Sequence, residues 1–181
     1  MNESIIAAGF GGQGILFMTK LIAYCGMKQD LNVTWMPSYG AEVRGGTAHA
    51  MVRISDKPIT SPLVKEPASL LVMNAPSLAK FSGIVESSGI LIVNSSLVEI
   101  SDSLKDITVL KVPATDIAVE LGDVRAANMV MLGAYVSKRE IIAFEGVVGA
   151  LQNFLPKNKT EIIEINRKAL QKGRECVTTK I

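Results

Sequence analysis

The sequence predicts an α/β fold, a Rossmann-like or flavodoxin-like sandwich in which helices flank a mostly parallel sheet. Three features lead to it. Short Val/Ile/Leu runs at 70–73, 90–93 and 107–112 have the composition of strands buried on both faces. An apolar run at 4–8 passes through a glycine cluster straight into helical periodicity, and the last third of the chain is helical in pattern.

In chain order, residues 4–8 form a short buried strand that stops at the glycines. Ile15, Met18, Leu21, Ile22 and Cys25 recur at helical spacing, which puts Cys25 on the inner stripe of an amphipathic helix. Residues 32–36 read as a second strand, ended by Pro37. Residues 47–54 alternate: Ala48, Ala50, Val52 and Ile54 share one face, and Thr47, His49, Met51 and Arg53 the other, the pattern of a half-buried strand. A helix starts at Pro76, since proline suits a first helical turn. Another over 115–121 stops at Gly122, and Asp123 caps a helix with the stripe Val124, Asn128, Met131, Leu132 and Tyr135. Ser137 with Glu140, and Asn158 with Glu161, have helix-start capping spacing. The last helix is expected from about Lys159 to Gly173.

A chain of 181 residues supports one real core and is short for two, so residues 1–181 are expected to form one domain. With 48% hydrophobic and 20% charged residues the composition is that of a globular protein. A net charge of +2 gives no reason to expect nucleic acid or an anionic membrane surface as a partner. The apolar start is broken by glycines and carries neither a basic leader nor a cleavage-like site, so the expected location is the cytoplasm. Two cysteines, Cys25 and Cys176, and one histidine, His49, fall short of what an iron–sulfur cluster or structural zinc requires. The chain is therefore expected to hold no metal of its own.

The segment Gly9-Phe10-Gly11-Gly12-Gln13-Gly14 fits G-x-G-x-x-G between a strand and a helix, where glycines permit a tight turn and free helix N–H groups favour an anion. Ordinary dinucleotide binding also needs an acidic residue at the end of the second strand. Here that strand ends Thr34-Trp35-Met36-Pro37, with Asp30 before it and Glu42 well beyond. Phosphate or pyrophosphate binding of another kind stays open, as does a purely structural use of the glycines in strand–helix packing. After the second strand comes Pro37-Ser38-Tyr39-Gly40-Ala41-Glu42-Val43-Arg44-Gly45-Gly46-Thr47, a loop costly to order unless pinned.

Together with Val52-Arg53-Ile54-Ser55, Pro58-Ile59-Thr60-Ser61-Pro62, Asn94-Ser95-Ser96, Asn128 and Leu132-Gly133-Ala134, these two segments resemble the gamma subunits of 2-oxoacid:ferredoxin oxidoreductases. The form of the second segment is closer to the 2-oxoglutarate and branched-chain types than to the pyruvate type. The beta subunit of indolepyruvate oxidoreductases, which contains a related domain, is the nearest alternative. The resemblance implies a cytoplasmic complex that decarboxylates a 2-oxoacid, passes the acyl group to coenzyme A and reduces ferredoxin. It implies thiamine diphosphate, Mg²⁺ and iron–sulfur clusters on alpha, beta and delta partner subunits, with ferredoxin reached through the complex. This chain itself has no Gly-Asp-Gly…Asn-Asn element for a Mg²⁺–thiamine site, and is expected to hold no catalytic residue.

Ligands of open α/β sheets gather at the carboxyl ends of the strands. The candidate cofactor-binding residues are therefore Gly9, Gly11, Gly12, Gln13, Gly14, Tyr39, Arg44, Asn94 and Ser95, with the glycine-loop N–H groups and Arg44 directed to a phosphate or pyrophosphate of coenzyme A. Turn and capping chemistry is the competing role for Asn74, Asn94, Ser95 and Ser96. The outer face bearing His49 and Arg53 is read as a protein interface, and an exposed docking face would let isolated copies pair as homodimers at high concentration. A free-standing nucleotide-binding enzyme and a ligand-free scaffold are the other classes; the missing ribose-binding acid and the lack of an evident acid–base pair oppose the first.

Overall fold

The computed structural model describes residues 1–38, 47–100, 104, 106–155 and 160–178. Among them, six strands form one sheet: β1 (Asn2–Phe10), β2 (Asn32–Ser38), β3 (Thr47–Ser55), β4 (Ser69–Val72), β5 (Ile90–Asn94) and β6 (Thr108–Val112), in the order β2-β3-β1-β4-β5-β6. β1, β4, β5 and β6 are mutually parallel, while β3 runs antiparallel to both β1 and β2. β2 therefore points the same way as β1, and the expected mostly parallel sheet holds with one reversed strand.

The helices are α1 (Ile15–Lys28), α2 (Ala75–Phe81), α3 (Ala114–Glu120), α4 (Ala127–Arg139), α5 (Phe144–Phe154) and α6 (Thr160–Thr178). Alternation along β1 sends Ile5 and Ala7 into a large core with α1 and α4, and Ile6 and Ala8 into a smaller one with Val64, Phe81 and Val98. Covering both faces explains the continuous apolar runs in β4 and β5, every residue of which is buried. β6 departs from that expectation: it is an edge strand, and of its five residues Val112 alone is buried.

Four further expectations are corrected. β2 continues through Pro37, which pairs with Ala50; an edge strand tolerates a residue without an N–H. Val124 is exposed, because Asp123 caps a short 3₁₀ turn ahead of α4 (its Oδ1 accepts from Arg125 N–H at 3.0 Å) and the buried stripe starts beyond it. Ser137 and Glu140 do not open a helix; Ser137 lies inside α4, and Glu140 ends it in a left-handed conformation at φ 54°. Gly173 does not end α6, which runs on to Thr178. It serves a close helix crossing instead: a Cβ on Gly173 would strike Val130 O, and one on Gly133 would strike Leu170 O. The crossing leaves α4 buried from Ala127 to Val136. Asn158, with the expected helix start at Lys159, lies outside the described residues.

The N-terminal edge of the sheet holds a buried charge that patterning did not pick out. Glu3 is fully buried at the start of β1; its carboxylate accepts from Ser69 Oγ at 2.6 Å, from Tyr135 Oη at 3.4 Å and from two guanidinium N–H groups of Arg139. This knot joins β1, β4 and α4. Burial first, then the Glu3 charge, pushes the Tyr135 phenol well above its ordinary range, and the hydrogen bond to Glu3 raises Arg139 further.

Candidate functional site

The opposite, C-terminal edge gathers the chain ends that the sequence singles out. β1, β4, β5 and β6 all finish there, and β2 finishes where β3 begins. Phe10 lies opposite Thr47, while Ala8 and Ser38 both lie opposite His49. The segment carrying Tyr39 and Arg44 thus leaves and re-enters the sheet beside the glycine loop; Tyr39 and Arg44 themselves are outside the described residues.

The loop is shaped by its own side chain. Gln13 Oε1 accepts from Phe10 N–H at 2.6 Å, Gln13 Nε2 donates to Met73 O at 3.3 Å, and Gln13 N–H donates to Phe10 O at 3.2 Å. Gln13 is therefore a strut between the loop and the end of β4. As a ligand donor it is already engaged, and the N–H groups of Gly11, Gly12 and Gly14, which have no acceptor among the described residues, take that place.

Gly9 is closely surrounded: an added Cβ would lie 2.6 Å from Gln13 Oε1 and 2.9 Å from Met73 Cβ. Gly14, at φ 72°, is the residue before α1, and a Cβ there would fall on Asn128 Nδ2. Gly12, at φ 95°, has open space where a Cβ would be. A ligand can thus reach the backbone at Gly12, next to the unbonded N–H groups that begin a helix of 14 residues.

Asn128, at 4% exposure, locks the loop from α4: its Nδ2 donates to Gly14 O at 3.2 Å. Its Oδ1 is buried and has no partner among the described residues. Gly12, Gly14 and Asn128 line a cavity of about 300 Å³ whose walls include Phe17, Arg125 and Asn166. Sequence reading missed these last three. Phe17 and Asn166 look like ordinary helix residues, and α6 meets the loop only through tertiary packing. The one available hint was an Asp-x-Arg pair before α4. Arg125 grips Asp123, with Nη2 to Oδ2 at 2.7 Å, and this hydrogen bonding holds the Asp123 carboxyl below its usual range and raises Arg125.

Asn94 is not brought to the loop. It lies two strands from β1, roughly 10 Å at ordinary strand spacing. Its side chain clamps α3, with Nδ2 donating to Thr115 Oγ1 at 2.8 Å and Oδ1 accepting from Thr115 N–H at 3.3 Å. Ser95 N–H donates to Val112 O at 2.8 Å, and Ser96 Oγ accepts from Asp116 N–H at 3.1 Å. Asn74 caps α2 through Ser77 N–H at 2.9 Å. These residues tie strand ends to helix starts, as turn chemistry predicts. Trp35 is likewise a core anchor, its Nε1 donating to Thr19 Oγ1 at 3.0 Å.

The arrangement can hold an anion. Among the described residues, no cluster of three or more His, Cys, Asp or Glu could hold a metal ion, and no helix is long and apolar enough to cross a membrane. Cys25, on the face of α1 that meets α5, has its thiol pKa pushed up by burial to about 11.

Comparison with known proteins gives this geometry a context. The family model described as pyruvate ferredoxin/flavodoxin oxidoreductase matches residues 4–176. A ketoisovalerate oxidoreductase subunit VorA from Methanothermobacter marburgensis is 36% identical over 168 residues, covering 93% of this chain and 35% of that protein. The chain thus spans about a third of that longer relative. A 2-oxoglutarate synthase subunit KorC from the same organism is 35% identical over 184 residues, covering 98% of this chain and 97% of that one. The keto/oxoacid ferredoxin oxidoreductase gamma subunit from Geobacter sulfurreducens PCA superposes with a TM-score of 0.84 at 27% identity, over 98% of this chain and 99% of that one. The 2-oxoglutarate:ferredoxin oxidoreductase of Magnetococcus marinus, solved with 2-oxoglutarate, coenzyme A and succinyl-CoA bound, shares the fold with a TM-score of 0.91 at 21% identity, over 99% of this chain and 32% of that one. Matched over nearly its whole length in sequence and in fold, the chain belongs to the pyruvate ferredoxin/flavodoxin oxidoreductase family.

Proposed function

We propose that residues 1–181 act as one gamma-type domain, a supporting subunit of a cytoplasmic 2-oxoacid:ferredoxin oxidoreductase whose acid is 2-oxoglutarate. The observation that carries this reading is the end-to-end match to a 2-oxoglutarate synthase subunit of nearly equal length. Thiamine diphosphate, Mg²⁺ and the clusters belong to the alpha, beta and delta partners, and ferredoxin is reduced through the complex. This chain makes and breaks no bond.

Its own contribution is to receive a phosphate or pyrophosphate of coenzyme A at the glycine loop. The open space over Gly12 fits such a group, since the backbone there can be approached without steric cost. Gly11, Gly12 and Gly14 present N–H groups, Gln13 and Gly9 fix their direction, and Arg44 and Tyr39 are supplied by the neighbouring segment. Asn94 holds α3 in place at the same edge, and Ser95 ties the end of β5 to the end of β6. When bound, coenzyme A supplies the thiol that accepts the acyl group.

The test is to purify the complex and measure ferredoxin reduction with 2-oxoglutarate, 3-methyl-2-oxobutanoate and indolepyruvate. Highest kcat/KM with 2-oxoglutarate is expected; preference for either other acid would reassign the substrate. An Arg44→Ala complex should show a raised KM for coenzyme A, and an unchanged one would remove Arg44 from the site. Recovery of the chain as a lone active homo-oligomer would overturn the assignment.

A further inference from the structure

The outer face of β3 divides in the middle. His49 is half-buried with its ring centroid 5.1 Å from that of Phe81, so the upper half is packed against α2. Arg53, nearer the N-terminal edge, opens instead on a crevice. One cavity of about 670 Å³ is bordered by Ser4, Arg53, Leu63, Lys65 and Glu66; a second, of about 370 Å³, shares Asn2 and Arg53 with it and extends to Lys57 and Thr60.

Polar groups here are left incomplete. Arg53 Nη1 reaches Leu63 O at 3.4 Å, but its Nε is buried without an acceptor among the described residues. Thr34, the cross-strand partner of Arg53, has a buried hydroxyl in the same condition. A buried donor without an acceptor is costly, and Arg53, which borders both cavities, is where a visiting acceptor can reach this row.

The charges favour an acidic visitor. Asp56 is taken by the Met1 amino group at 2.6 Å. Arg53, Lys57 and Lys65 form no ion pair among the described residues; Lys57 also lies in the field of Asp56, and with Asp56 neutralised by the Met1 amino group the three cations outnumber the remaining carboxylates, Glu66 and Glu86. Leu63, 52% exposed, stands at the rim. A small anion would leave that leucine wet, whereas a polypeptide would cover it.

We propose that this crevice is the docking groove for an acidic segment of a partner polypeptide, whose carboxylates meet Arg53, Lys57 and Lys65 while an apolar neighbour covers Leu63. The proposal rests on the subunit assignment above and adds which face docks.

The test uses the tagged full-length chain in the cell that encodes it. Arg53→Glu should loosen the co-purifying oxidoreductase subunits about tenfold or more, with the loss falling mainly on dissociation. A Lys57→Glu/Lys65→Glu variant, changed only at exposed positions, should weaken them too and keeps the test valid if the first variant fails to fold. Zero-length carbodiimide coupling of the unmodified complex should join Lys57 or Lys65 to Asp or Glu of a partner subunit. If Lys57/Lys65 variants hold their partners as tightly as the unmodified chain, or coupling joins these lysines only to this chain or to a second copy, the groove is wrong while the subunit assignment stands. If the unmodified chain brings down no oxidoreductase subunit at all, both fall.

Discussion

The two edges of the sheet use polar chemistry in opposite ways. At the N-terminal edge Glu3, Arg139, Tyr135 and Ser69 are drawn inside and matched to one another. At the C-terminal edge the side chains Gln13, Asn94 and Asn74 are spent on holding backbone in place, and the backbone N–H groups of the glycine loop are what stays open. The first arrangement holds elements together and offers nothing to a ligand. The second gives up side-chain chemistry to fix a geometry that backbone alone presents. A change at one edge should therefore move stability without ligand affinity, and a change at the other should do more to affinity.

The strongest way to break this contrast is Glu3→Gln. It leaves the guanidinium of Arg139, at 28% exposure, without its carboxylate. A loss of about 3 kcal/mol is expected in denaturant unfolding, with the coenzyme A affinity of whatever folds unchanged; a shifted affinity would show that the edges are coupled. Next is Gly14→Ala, which forces a side chain into φ 72° and onto Asn128. Roughly 2 kcal/mol of strain is expected, and KM for coenzyme A in the complex should rise about tenfold, the equivalent of some 1.4 kcal/mol. Gln13→Ala removes the strut but no open N–H; about 1 kcal/mol of stability should go, with KM rising a few-fold and kcat holding. A fall in kcat at constant KM would contradict the strut role.

At neutral pH the smallest effect belongs to Cys25, whose contribution changes only at high pH. Its pKa rises from 9.0 to about 11 on burial, so the folded state keeps a proton that the unfolded state releases. The sign follows: this contribution is complete below pH 9 and is lost as pH rises towards 11. Urea midpoints of the wild type should fall across that window by more than those of Cys25→Ala. In native protein at pH 8 a thiol reagent should label Cys176, which is partly exposed, well before Cys25.

How much of this was legible in the sequence depends on the range of the interaction. β1, α1 and β5 announce themselves because burial on one or both faces writes a period into the chain. Asn128 could be marked as a buried polar group in need of a partner, although Gly14, 114 positions away, could not be named as that partner. Gly173 resembled a helix end because glycine serves both caps and close crossings, and the choice is made by a facing helix. Glu3 fell just outside the apolar run at 4–8, and its partner Arg139 lies 136 residues away.

By itself, then, the sequence determined the layered α/β class, the turn at the glycine loop and the family, because periodicity, glycine and local motifs act over a few neighbours. Tertiary structure decided that Gln13 is a strut, that Asn94 serves α3, that β3 runs backwards and that Arg53 opens on a crevice. Each of these depends on which distant backbone or charge comes within about 3 Å of a hydrogen-bonding group, and no local pattern encodes that distance.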